Sequence, residues 1–342
     1  MLLDSGSQFA HQLSGYRMRT MEVLSRSVPD GHPYLYGIVR ETLSRAGKGL
    51  RPALCLATCG AFGGELDDAV YSAAALEMLH NGFLVHDDVE DLSETRHGSP
   101  AVHIEHGIPL AVNAGDAMQA LSMRLLRKNV SKLGAVLAWG ICEEFDHLLL
   151  RSLEGQALEL GWIRNNDLLL KTEDYIRMVL LKTGWYSFVH PCRIGALIAR
   201  RGNIDPSPLN EFGFYLGLAF QIQDDVLNLA GGRTYGKETA GDIYEGKRTL
   251  MLMHLLENCT DFERSQIFAV LSKPRTRRIH REVMWMHELM LDRGSIEFAK
   301  SAAYEFLAAA HESFDIAYQS CPESEHKSFL RSLTDYVLLR DR

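Results

Sequence analysis

Two short acidic segments, Asp87-Asp88-Val89-Glu90-Asp91 and Asp224-Asp225-Val226-Leu227-Asn228, each open with an Asp-Asp pair at the end of an apolar helical stretch. On a helix, Asp87 and Asp91 stand one turn apart on a single face with Asp88 beside them, so the three carboxylates are expected to converge on one spot. The second segment repeats the arrangement in the C-terminal half of the chain, with the amide of Asn228 where the last carboxylate would be. Paired across a cleft, such groups repel one another unless divalent cations neutralise them, and all-oxygen ligation favours magnesium over zinc or copper. The natural companion of magnesium held this way is a phosphate or diphosphate. A lone Asp-x-x-x-Asp is more often a solvated helix face. Here the preceding residues, Gly82-Phe83-Leu84-Val85-His86 and Leu216 through Gln223, are too apolar for a surface, and carboxylates at the ends of buried helices need cations or protons.

Basic residues that could answer the aspartates are spread along the chain. Gly47-Lys48-Gly49-Leu50-Arg51-Pro52 sets Lys48 and Arg51 at a loop-to-helix junction, a plausible phosphate site. Arg96-His97-Gly98 follows the first acidic segment, and Lys182-Thr183, Lys237 and Lys247-Arg248-Thr249 come later. Each is unremarkable alone, but together they are sized for two diphosphates, one bound through metals and one through side chains alone.

The elements that must position these groups are helices. Apolar residues recur at three- and four-residue intervals over 67–85, 111–130, 133–150, 173–200 and 209–229, while strict two-residue alternation is rare. Breakers fall between them at Ser27 to Gly31, Gly63-Gly64, Gly98-Ser99-Pro100, Asp205 to Pro208 and Gly231-Gly232. The longest irregular piece runs from Ala230 to Arg248, and a loop of that length in a compact domain is more often functional than passive. With 342 residues, 46% of them hydrophobic, the chain is long enough for one large all-α domain spanning 1–342, in which 1–30 is an N-terminal helix or extension. A net charge of -8 gives no support to a nucleic-acid partner. The six cysteines form no Cys-x-x-Cys pair and read as reduced core residues of a cytoplasmic protein, and no run of about twenty apolar residues predicts a transmembrane segment.

From Lys48 onward these residues resemble the trans-isoprenyl diphosphate synthases, or polyprenyl synthetases, most of all their geranylgeranyl diphosphate branch. The match is carried by Glu77-x-x-His80, Asp87, Asp88, Asp91, Arg96, Gly98, Pro100, His103, Asn113, Gly115, Asp116, Gly155-Gln156, Lys182-Thr183, Phe220 through Asp225, Gly236-Lys237 and Asp242 through Thr249, in family order. The resemblance implies an all-helical bundle around a central cavity, a homodimer, and an allylic diphosphate and isopentenyl diphosphate as substrates. It implies magnesium, three ions per site with manganese able to substitute, on Asp87, Asp88, Asp91, Asp224 and Asp225. It further implies Arg96, Lys182, Lys237 and Lys247 around the allylic diphosphate, with Lys48, Arg51, His80 and His97 around the isopentenyl one. Thr183 and Gln221 would sit near an allylic carbocation quenched by the isopentenyl double bond, the released diphosphate taking the proton, and the tail residues Arg340 and Arg342 would help to close the site. Three positions depart from the pattern. Asn228 stands in place of an aspartate, Gly49 where many relatives carry arginine, and His97 in place of the second arginine of Arg-Arg-Gly, so weaker or pH-dependent isopentenyl binding is expected.

The growing chain would run from the metal end along the helix that carries Asp87. Phe83, four residues earlier, then lies roughly 6 Å below the carboxylates at about 1.5 Å per residue and could be its floor; ordinary core packing is the competing role. With Gly82 beside it leaving room for the tail to slip past, a fifteen- to twenty-carbon product is expected, geranylgeranyl diphosphate first. A class I terpene cyclase would share the fold and the first acidic segment but carries a different second motif, and a non-catalytic subunit of a heteromeric synthase need not keep these metal ligands.

Overall fold

The computed structural model describes residues 2–45, 47–230 and 240–339. Helices follow one another along the chain: α1 (Leu2–Ser27), α2 (Ile38–Ser44), α3 (Leu50–Ala61) and α4 (Leu66–Glu90), then a hairpin of β1 (Thr95–Arg96) and β2 (Ser99–Pro100). After it come α5 (Val102–His106), α6 (Ile108–Arg127), α7 (Asn129–Leu133), α8 (Ala135–Asn165) and α9 (Thr172–Val179), a π-helical stretch over Leu180–Val189, and α10 (His190–Ala199). The rest is α11 (Pro208–Ala230), α12 (Gly241–Glu245), α13 (Leu250–Asn258), α14 (Asp261–Leu271), α15 (His280–Asp292), α16 (Ser295–Ala317) and α17 (Glu325–Leu339). The chain is all-α, as its periodicity implies, and no helix among the described residues is long and apolar enough to cross a membrane.

Two helices carry the acidic segments because they are the most deeply set. Buried residues wind around nearly every side of α4, from Ala69 to Asp88, as expected of a helix that is apolar all round. On α11 two stripes at helical spacing face different ways. Leu209, Phe212, Leu216 and Ala219 join a core with α1, α3, α4, α6, α8 and α17, whereas Leu218, Ile222, Val226 and Leu229 join a second core with α13 to α16. Both Asp-Asp pairs sit at the C-terminal ends of these helices, so apolar burial upstream fixes where the charges emerge.

Three local expectations change. The periodic stretch 173–200 is α9, the π stretch and α10, with the wide turns ending at His190, whose amide bonds to Trp185 O. Pro191 has no N–H to donate and its ring would clash in α register, so widening the turns before it is the compatible solution. The piece from Ala230 to Arg248 is not irregular throughout, because 241–245 is α12. Gly82 does not open space for a tail: a Cβ there would meet Gly115 O and Met118 Cβ at 3.2 Å, so this position is filled by the close approach of α6. Lys237, Gly231-Gly232, Arg340 and Arg342 lie outside the described residues.

Candidate active site

A cavity of about 480 Å³ opens between α3, α4, the hairpin, α8, the π stretch and α11. Of the residues singled out above, Lys48, Arg51, His80, Phe83, Asp87, Arg96, His97, Lys182, Thr183, Gln221, Asp224 and Lys247 line it. One end is acidic, the other is basic and neutral, and the wall between them is apolar.

At the acidic end the three carboxylates of the first segment do not converge. Asp88 lies about 100° around the helix from Asp87, buried under the hairpin, where Arg96 Nε donates to its Oδ1 and Oδ2 at 2.9 and 3.2 Å. Asp91 caps α4 and pairs with Lys247 at 2.9 Å. Asp87 alone points along the cavity wall, with long contacts to Arg96 (3.3 Å), Lys182 (3.4 Å) and Gln156 (3.5 Å). Asp224 lines the wall opposite, whereas Asp225 turns inward and accepts hydrogen bonds from Gln221 Nε2 (2.8 Å) and the Tyr175 hydroxyl (2.9 Å). The cations are engaged as well: Lys182 pairs with the buried Glu159, and Lys247 reaches Glu245 at 2.6 Å as well as Asp91. Arg248 turns away from the acidic groups, donating to the carbonyls of Asp167, Trp162 and Gly246 and to Asn166 Oδ1, so it clamps the backbone and is not a substrate cation.

Among the described residues, Asp87, Asp91, Glu159 and Glu245 crowd around Lys182 and Lys247 at this end. Burial pushes Asp91 up to about 7 against the pull of Lys247, and pushes Asp225 to about 7 despite its two hydrogen bonds. Buried oxygen donors whose protonated form is favoured by burial fit a divalent cation that binds through oxygen. Asp87 and Asp224, both at the cavity wall, are the donors best placed to take it. The three donors that do converge among the described residues, Glu41, Glu105 and His106, are no such site, because Arg45 already pairs with both carboxylates.

Asn228 accounts for its own departure from aspartate. Its Oδ1 accepts the Asp242 amide at 3.0 Å and its carbonyl accepts Ala240 N at 3.0 Å, pinning the start of α12 to α11. A neutral acceptor does this without adding a charge to Asp224, Asp225 and Asp242.

The other end is differently built. Arg51 Nε donates to Ser187 Oγ (3.1 Å), Nη1 to His80 Nε2 (3.0 Å) and Nη2 to Tyr186 Oη (2.9 Å), all neutral groups. Burial, then the charges of Arg51 and Arg96, hold His80 well below the usual imidazole range. Because a guanidinium only donates, the neutral ring accepts at Nε2 and carries its proton on Nδ1, 3.4 Å from the Tyr186 hydroxyl. The Arg51 charge is therefore not cancelled by a direct ion pair, and it faces the cavity beside Lys48, whose ammonium lies 5.2 Å from the Tyr336 ring centre. His97 completes this end from the hairpin, where it and Gly98 have φ of 51° and 75°, the two positive values a two-residue hairpin turn requires. Its ring lies against Gly47.

Phe83 stands between the two ends, its ring edge-on to Tyr186 at 5.4 Å, and Leu79 below it is buried away from the cavity. Tyr186, Glu159, Tyr175 and Glu245 were not anticipated. Tyr186 follows Lys182 by one turn, and Glu159 is a carboxylate on the buried face of α8 one turn after Gly155, so both had a positional signal.

Comparisons with known proteins agree on one family. The family described as Polyprenyl synthetase matches residues 32–286. The geranylgeranyl diphosphate synthase of Sulfolobus acidocaldarius is 31% identical over 295 residues, 86% of this chain and 88% of that protein. The geranylfarnesyl diphosphate synthase of Aeropyrum pernix is 28% identical over 315 residues, 90% and 94% of the two chains. Among solved structures, the geranylgeranyl pyrophosphate synthetase from Pyrococcus horikoshii superposes with a TM-score of 0.84 at 29% identity, covering 98% of this chain and 99% of that one.

Proposed function

We propose, from the premise that the chain belongs to the polyprenyl synthetase family and is a trans-prenyltransferase, that it condenses an allylic diphosphate with isopentenyl diphosphate to give geranylgeranyl diphosphate. The observation that carries this reading is the division of one cavity into an acidic end and an end whose arginine meets only neutral partners. The two diphosphates then bind by different means: the allylic one through magnesium, the isopentenyl one on Lys48, Arg51, His80 and His97.

Asp87 and Asp224 hold the magnesium, with Asp88, Asp91 and Asp225 behind them; three ions per site are expected, and manganese can take their place. Magnesium supplies Lewis-acid charge that lets the allylic carbon–oxygen bond ionise. Lys182, held between Asp87 and Glu159, adds positive charge to the departing diphosphate, and Arg96 orients Asp87 and Asp88. The Thr183 hydroxyl donates to Gln221 Oε1 at 3.0 Å, which presents the hydroxyl oxygen's lone pairs to the adjoining cavity where a cation would form. Lys237 lies outside the described residues and keeps its expected role beside the allylic diphosphate. The apolar wall at Phe83, Leu84, Leu153 and Phe220 takes the prenyl tail and excludes water.

Exposed Ile108 and Val112 on α6 and Val136, Trp139 and Leu150 on the neighbouring α8 support a homodimer through that face. The named relatives, all diphosphate synthases, do not favour the cyclase or non-catalytic alternatives. The test is incubation with farnesyl diphosphate, magnesium and isopentenyl diphosphate, with product identification by mass spectrometry. Geranylgeranyl diphosphate that requires both magnesium and isopentenyl diphosphate is expected; hydrocarbon or alcohol released without isopentenyl diphosphate would overturn the reading.

A further inference from the structure

Lys247 reaches the cavity from the end of α12, a helix of only five residues. The amides of Gly246 and Lys247 both donate to Asp242 O at 2.9 Å. A helix this short is not stable alone, and its last carbonyls need donors from elsewhere.

Those donors come from Arg278, a buried guanidinium in the connection between α14 and α15. Its Nη1 donates to Ile243 O at 3.4 Å and to Tyr244 O, and its Nη2 donates to Leu271 O at 2.9 Å, at the end of α14. Its Nε has no hydrogen-bond partner among the described residues. The planar fork therefore joins the ends of two helices, a reach that the single nitrogen of a lysine does not have. A Cβ on Gly246 would stand 2.7 Å from Nη1, 2.8 Å from Nη2 and 3.0 Å from Cζ, and this glycine has φ of 78°. The segment is thus shaped around the guanidinium. Arg248 takes the carbonyl of the same glycine and ties it to Trp162 O and Asn166 Oδ1 at the end of α8.

Side chains on either side of Arg278 also reach α12. Arg275 Nη1 meets Glu245 Oε1 at 3.1 Å, and the Tyr244 hydroxyl meets His280 Nδ1 at 3.0 Å. Glu245 Oε2 in turn lies 2.6 Å from Lys247 Nζ, which pairs with Asp91 at 2.9 Å. Burying a guanidinium whose hydrogen bonds all go to neutral carbonyls is costly. What it secures here is the place of the backbone that carries Lys247.

We infer that Arg278 is a positioning residue for the prenyl transfer. By fixing the end of α12 to α14, it holds the Lys247 ammonium beside Asp91 at the acidic end of the cavity, where it faces the allylic diphosphate. This inference rests on the proposed function, because it assigns Lys247 to that substrate.

The test is a double-variant cycle of Arg278→Lys, which keeps the charge and loses the fork, with Lys247→Ala. Arg278→Lys is expected to lower kcat/KM for the allylic substrate roughly tenfold, with KM for isopentenyl diphosphate within about twofold of wild type. In the Lys247→Ala background the same change should cost about twofold or less, because the group it positions is gone. Gly246→Ala displaces the guanidinium from the other partner and should give the same pattern, so the cycle can be run on it where Arg278→Lys does not fold. Hydrogen exchange without magnesium gives a readout apart from activity: the Gly246 and Lys247 amides should exchange faster in Arg278→Lys, with α4 unchanged. An unchanged allylic kcat/KM in Arg278→Lys overturns the inference. So does an equal loss with and without Lys247, which a general loss of stability would give, or a loss shared equally by both substrates. A wild-type protein that fails to condense isopentenyl diphosphate overturns the underlying reading before any variant is compared, and the inference with it.

Discussion

Replacing Gly155 with alanine puts a single methyl group against the backbone that carries Lys182. The added Cβ would lie 2.2 Å from Lys182 N, 2.6 Å from its Cα and 2.8 Å from Leu181 C, all main-chain atoms that cannot rotate aside. Ordinary carbon contacts need about 3.5 Å, so α8 and the π stretch must separate by roughly 1 Å. Lys182 then moves away from both Asp87, now 3.4 Å distant, and Glu159 on α8 itself. A displacement of that size in a charge-positioning group costs about 100-fold in kcat, and the overpacking costs about 1–3 kcal/mol of stability, offset by about 1 kcal/mol from alanine's helix propensity. The assay is steady-state product formation at saturating substrates with a parallel melting curve. Gly161→Ala on the same helix, where nothing lies within 4 Å of the new Cβ, is the control and should keep wild-type kcat with an equal or higher Tm. A Gly155→Ala enzyme with wild-type kcat would refute the claim that close approach of α8 sets the position of Lys182.

Three further outcomes follow from the site. Asp91 and Asp225, pushed up to about 7 by burial in the metal-free protein, must lose their protons for magnesium to bind, so magnesium affinity is lost as pH falls through 7. The magnesium concentration for half-maximal activity should rise by up to about tenfold per proton released between pH 7 and 6. Without metal the sign reverses: raised carboxylate pKa values stabilise the fold below the ordinary carboxylate range, and that contribution is lost as pH climbs to about 7, which a metal-free melting series would show. A magnesium requirement that is flat from pH 6 to 8 contradicts this account. Phe83→Ala removes the ring that meets Tyr186 and should shift product toward chains longer than twenty carbons, at about 2 kcal/mol of stability. An unchanged product distribution would show that Phe83 is packing and not a floor.

What the sequence made legible was periodicity and composition. The deep setting of α4 and α11 follows from their apolar residues, and their acidic ends follow from where those residues stop. The fate of each carboxylate did not follow, because Asp88, Asp91 and Asp225 are decided by Arg96, Lys247 and Tyr175, partners that only the fold brings near. Arg248 and Lys247 are adjacent in sequence yet point into different surroundings, one onto backbone carbonyls and one onto carboxylates. The π stretch escapes pattern reading, because ten residues make too few turns for its wider period to stand apart from the α-helical one. Gly82 shows the same limit. A glycine's lack of a side chain reads as open space, but here that space is filled by α6.

The account turns on one cavity holding two diphosphates by different means, and calorimetry on the wild-type protein tests this most directly. Isopentenyl diphosphate and geranyl diphosphate are titrated separately, each in magnesium and in chelator. The account predicts that isopentenyl diphosphate binds in chelator with nearly its affinity in magnesium, and that geranyl diphosphate binds only when magnesium is present. Equal dependence of both ligands on magnesium would contradict it.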